Sequence, residues 1–103
     1  MRCGIALYEI RQPDSVGAYE ELVCLAELPG DEELQVWEEC LTAWGLAKLR
    51  AHECRFGMYF AALVPLDERG EPDGKAADDL LEQDMLPVER HFTWSGYVEL
   101  VPA

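Results

Sequence analysis

The sequence has no asparagine, two serines (Ser15, Ser95) and two histidines (His52, His91). Hydroxyl nucleophiles and imidazole bases are therefore scarce, and neither serine sits in a Gly-x-Ser-x-Gly elbow. No glycine-rich phosphate loop and no dinucleotide fingerprint occurs. Bases are few: 8 lysines and arginines stand against 21 aspartates and glutamates, a formal net charge of −13. Phosphates of DNA and RNA and the surface of anionic membranes repel such a chain, which argues against binding them directly. No apolar run approaches the ~20 residues that a membrane-crossing helix needs.

What the chain does have is the makings of a core. Half of its 103 residues are apolar and ten are aromatic. That length fits one domain spanning 1–103, and the composition is not that of a disordered acidic tail. Four cysteines, Cys3, Cys24, Cys40 and Cys54, could pair in three ways. Their apolar neighbours, as in Leu22-Val23-Cys24-Leu25, instead suit thiols packed as small hydrophobes. Met1-Arg2-Cys3-Gly4 runs straight into a strand-like segment without the pattern of an export signal. Reduced thiols in the cytoplasm are the expectation.

Periodicity predicts an α+β fold: a small single domain with about three strands, mainly antiparallel, and two or three helices packed on the sheet. Gly4 to Ile10 reads as a strand and Gln12 to Ser15 as a turn. Val16 to Leu28 is ambiguous. Glu20, Glu21 and Glu27 share one side of a helical wheel, and the Ala, Glu and Leu content favours helix; the alternative is the second strand of a hairpin. Asp31 to about Leu49 gives the clearest helix signal, with Leu34, Trp37, Leu41 and Trp44 as its buried stripe and Lys48 and Arg50 at its end. Phe56 to Pro65 reads as a central strand buried on both faces. Leu66 to Gly74 is a loop and Lys75 to Leu86 a short acidic helix stopped by Pro87. His91 to Val101 is a last strand with a bulge at Ser95-Gly96.

The acids fall in two concentrations. Segment 31–39 has five acids and no base, and segment 67–84 has eight acids and two bases. As helices, these place Asp31, Glu32, Glu38 and Glu39 on one face and Asp78, Asp79 and Glu82 on another. Such surfaces resemble a nucleic-acid strand in charge, and a basic groove attracts them by Coulomb steering. The plain alternative is solvated helix faces that serve solubility.

Other chemistry has weaker support. His52 and Cys54, with Cys40 and Cys24, lack the Cys-x₂₋₄-Cys or His-x₃₋₅-His spacing of zinc sites. Asp67 to Asp78 fails as a calcium loop, with Arg69 and Pro72 where an oxygen ligand and a glycine belong. Cys54 with His91 as base is conceivable, but no motif supports the pair. No metal, cofactor or catalytic residue is assigned.

In length, charge and lack of motif the chain resembles phage-encoded anti-CRISPR and anti-restriction proteins and the acidic immunity proteins of nuclease toxins. No residue motif carries the resemblance, so it transfers no site. The functional expectation is a non-enzymatic inhibitor that occupies the basic nucleic-acid site of a protein partner, an effector or a nuclease. Its partner-binding residues are Asp31, Glu32, Glu38, Glu39, Asp78, Asp79 and Glu82. The alternatives are an acidic adaptor with an apolar interface and a small Cys/His metal-binding regulator or enzyme using His52 and Cys54.

Overall fold

Two runs of the chain are apolar at consecutive positions, and both become interior strands. These are β1 (Cys3–Arg11) and β3 (Gly57–Pro65). The computed structural model describes residues 2–12, 16–28, 38–85, 88–96 and, for the backbone alone, 98–100. β1 pairs with β2 (Tyr19–Glu27) on one side and with β3 on the other, and β3 pairs with β4 (Glu89–Trp94), all antiparallel. A three-residue strand, β5 (Val98–Leu100), adds to β4 at the far edge, giving the order β2-β1-β3-β4-β5. The fold is α+β as expected, with β3 central, but the sheet is larger than three strands.

The added strands come from two corrections. Residues 19–27 form a strand, not a helix. A helix would keep Glu20, Glu21 and Glu27 on one wet face, whereas a strand sends them to both. β2 is an edge strand, exposed over Tyr19 to Leu22 and half-buried from Val23 to Ala26, so Glu20 and Glu21 can point to opposite faces and both reach water. Pairing with β1, including an irregularity at Leu7/Tyr8, overrides local propensity. In the second case, Ser95 and Gly96 turn the chain between β4 and β5 instead of bulging one strand. Gly96 has φ +94°, a conformation that side chains with a Cβ rarely adopt.

Side chains alternate across an extended strand. Ile5 and Leu7 of β1, Tyr59, Ala61 and Leu63 of β3, and Phe92 and Trp94 of β4 join one buried cluster with Leu41 and Leu49. The last two lie on α1 (Leu41–Ala51), where Leu41, Gly45 and Leu49 recur every four residues as the buried stripe. Lys48 and Arg50 stand in its last turn, where the helix dipole favours cations. Trp44 is half-buried; Asp31, Glu32, Leu34 and Trp37 lie outside the described residues.

α2 (Gly74–Glu82) covers one end of the opposite sheet face and buries Leu80. Asp73 caps it: its Oδ1 accepts from the Ala76 N–H at 3.1 Å. The helix ends before Leu86 and Pro87, which lie outside the described residues. The chain leaves it through Asp84 at φ 57°, with the Met85 N–H donating to the Leu80 carbonyl at 2.9 Å.

The preceding loop is held by local bonds. Asp67 Oδ1 accepts from the Arg69 and Glu71 N–H groups at 2.8 and 3.0 Å, an Asx-type turn. Asp67 and Asp73, two acids of the rejected calcium loop, are thus engaged with the backbone.

A polar cluster ties β1 to the segment between α1 and β3. Glu9 is a buried acid, 9% exposed. Arg55 donates to both its oxygens, Nε at 2.8 Å and Nη2 at 3.0 Å, and Arg11 Nη1 donates at 2.9 Å. The Tyr59 hydroxyl bonds Glu9 at 3.2 Å and the Arg55 carbonyl at 2.6 Å. Burial and then the Glu9 charge push the Tyr59 phenol far above its ordinary range. Arg55→Met keeps the stem and removes the fork. It is expected to cost about 2 kcal/mol, between the values for exposed and buried pairs. Urea unfolding measures it; a loss within error would mean that Arg11 and Tyr59 satisfy Glu9 without the fork.

Candidate functional site

The face of the sheet opposite α1 bears a row of rings. In register across β1, β3 and β4 stand Tyr8, Phe60 and His91. Tyr8 and Phe60 stack with centroids 4.9 Å apart and planes at 16°; Phe60 and His91 stack at 5.1 Å and 17°. Spacings of this size suit offset stacking. His91 Nε2 lies 3.0 Å from Glu89 Oε1, which holds the imidazole in place.

α2 overhangs this row and leaves a groove of about 250 Å³. Tyr8, Phe60, Ala62 and Val64 supply its sheet side, and Ala77 and Leu81 of α2 its other wall. Three acids border it: Glu20 from β2, Asp78 from α2 and Glu89 from β4. Tyr8 is held above the ordinary phenol range by burial first and by the Glu20 carboxylate second. Leu81, an outer element of the groove, is 52% exposed.

The expected partner-binding residues divide. Asp78, Asp79 and Glu82 are exposed together on α2 and make no ion pair with the described residues. Only Asp78 of the three also borders the groove. Glu39 is exposed, but Glu38 is half-buried and accepts from Arg90 Nη2 at 2.8 Å. Glu38 is therefore part of a tie between β4 and the segment just before α1, and not a free surface charge. Asp31 and Glu32 lie outside the described residues.

The Cys/His alternatives fare differently from the acids. Cys54 packs against the core on the α1 side, whereas His91 stands on the opposite sheet face, so the two do not form a nucleophile–base pair. His52 is exposed at the C-terminal end of α1. Among the described residues no three His, Cys, Asp or Glu side chains gather as a ligand set.

All four cysteines are free thiols. Burial raises the pKa of Cys3, Cys24 and Cys54, while Cys40 is exposed. The thiolate is the reactive form. Cys40 is expected to react first with an aromatic disulfide reagent in the folded protein, and the other three only on unfolding. Thiol counting with and without denaturant checks this; equal rates for all four would contradict the burial order.

No family model, curated protein or solved structure matches this chain. The groove has no signature in the sequence. Tyr8, Phe60 and His91 lie in three separate segments, and only the strand register aligns them. Nothing local marks them out, because an aromatic residue in an apolar strand reads as core.

Proposed function

We propose that this chain is a non-enzymatic binding protein whose acidic surface occupies the basic nucleic-acid site of a protein partner, as an inhibitor. The supporting observation is the placement of acids on α2. Asp79 and Glu82 fall in its last turn, which contains no base. Carboxylates there oppose the helix dipole, at a cost of about 0.3–1 kcal/mol each. Asp78 and Glu82 are also four residues apart, a like-charge pair that further weakens a helix. Among the described residues, the arginines of the sheet and its flanks are each set against an acid elsewhere: Arg2 with Glu27, Arg11 and Arg55 with Glu9, and Arg90 with Glu38. Acids left exposed at the unfavourable end of a helix are charges kept for something other than folding. A partner shaped to grip phosphates offers arginines, which bind carboxylates through two parallel hydrogen bonds.

The test uses the intact protein, immobilised at low salt, to capture its partner from the native host. The captured protein should be released by duplex DNA or by single-stranded RNA, and should itself bind nucleic acid. A partner that ignores nucleic acid and stays bound at high salt would replace this reading with an apolar adaptor.

A further inference from the structure

The groove beside α2 combines an apolar, aromatic lining with an acidic rim, and that pairing narrows what can enter it. Its volume, about 250 Å³, falls below the ~300–1,000 Å³ usual for drug-sized ligands. It suits one long side chain rather than a cofactor or a helix. Glu20, Asp78 and Glu89 exclude an anion. A purely apolar guest would leave the Glu20 and Asp78 carboxylates partly desolvated without a partner, which is costly. The guest that satisfies both parts has a hydrocarbon stem and a cationic head.

Arginine fits better than lysine. Its guanidinium is planar, stacks on aromatic rings, is weakly hydrated and meets carboxylates bidentately. Lysine presents a compact, strongly hydrated point charge. The outer acids Asp79 and Glu82 stand on the same helix that walls the groove. A small free cation would leave those unused, whereas a side chain carried on a basic protein engages both. We infer that the groove receives one arginine side chain of the partner, its stem along Leu81 and the aromatic row and its head among Glu20, Asp78 and Glu89. This deepens the proposed function and rests on its basic partner.

The probe is the blocked tripeptide acetyl-Gly-Arg-Gly-amide, titrated into the whole protein at low ionic strength and followed by NMR. The titration is run at one fixed pH throughout, so that every variant and peptide is compared in the same protonation state. Shifts should concentrate on Tyr8, Phe60 and Leu81. The citrulline peptide, equal in shape but neutral, should not bind. Glu20→Gln with Asp78→Asn should weaken binding about tenfold or more, because two charge-assisted contacts are lost. Asp79→Asn with Glu82→Gln changes the net charge equally and lies outside the groove, so it should weaken binding less than about twofold at moderate salt.

Equal losses from the two pairs would mean diffuse attraction and would overturn the groove assignment while leaving the acidic-surface reading intact. Binding of the citrulline peptide, or shifts confined to the outer face of α2, would overturn it too. Conversely, if the peptide occupies the groove but the captured partner ignores nucleic acid, the groove assignment holds and the nucleic-acid-site reading fails alone.

Discussion

Phe92→Ala is expected to lower the unfolding free energy by about 3–5 kcal/mol, a large share of the roughly 5–15 kcal/mol that keeps a domain folded. Phe92 is fully buried, and its ring occupies the space above a glycine of α1. A Cβ on Gly45 would lie 2.8 Å from Phe92 Cε2 and 3.0 Å from Cζ. Glycine inside a helix costs about 1 kcal/mol relative to alanine, so the ring explains why it is there. Gly45→Ala should therefore destabilise the parent, since overpacking costs about 1–3 kcal/mol and outweighs the gain in propensity. With Phe92 reduced to leucine or alanine the obstruction is relieved, and the same Gly45→Ala change should become neutral or stabilising. Phe92→Leu keeps the comparison measurable if Phe92→Ala unfolds. Urea titration of the four proteins of the cycle gives the coupling, expected to exceed about 1 kcal/mol for residues in contact. Additive effects would mean that α1 is not seated by this ring.

The contact between Gly45 and Phe92 illustrates where sequence reading stops. The helix through Leu41 and the strand through Phe92 are legible separately, because apolar spacing encodes local period. So are the centrality of β3, from its unbroken run Tyr59 to Val64, and the acidic helix after Gly74. That a glycine at 45 meets a ring at 92 depends on which elements lie opposite each other, and no local pattern states that. The strand at 19–27 reads locally as a helix for the same reason. Glu20 and Glu21 break the alternation expected of a half-buried strand, and only an edge position allows it. At Ser95-Gly96 a bulge and a turn have the same local signature, and only the pairing of β5 with β4 separates them.

The candidate site follows the same division. The exposed acids of α2 could be read from charge and helical period, and Asp78, Asp79 and Glu82 do share the helix surface. Glu38 could not be separated from them, because Arg90, its ion-pair partner, lies 52 residues away. The aromatic row needs the pairing of three strands before it exists. Charge is a property of composition, and a groove is a property of register.

Reversing the outer acids of α2 should move stability and binding in opposite directions. Asp79→Lys with Glu82→Lys changes the charge by four units and touches no residue of the buried cluster. Two cations then stand in the last turn, where the dipole favours each by about 0.3–1 kcal/mol. Lysine at 82 also converts the repulsion with Asp78 into an acid–base pair at i,i+4, while lysine at 79 meets Lys75, so these terms of about 0.2–0.5 kcal/mol offset one another. Self-repulsion of the −13 chain falls as well. The variant should melt at or above the parent temperature. Its affinity for the captured partner should nevertheless fall about tenfold or more, since each 1.4 kcal/mol lost is tenfold and arginines of the partner would now face cations. Most of that change should appear as a slower association at low salt and shrink as salt rises, the signature of lost steering. Opposite signs separate a charge effect from damage to the fold, which would lower both quantities together. A variant that is as stable as the parent and binds as tightly, at low salt, would remove the α2 acids from the interface. The acidic surface would then be a matter of solubility, and the proposed function would lose its supporting observation.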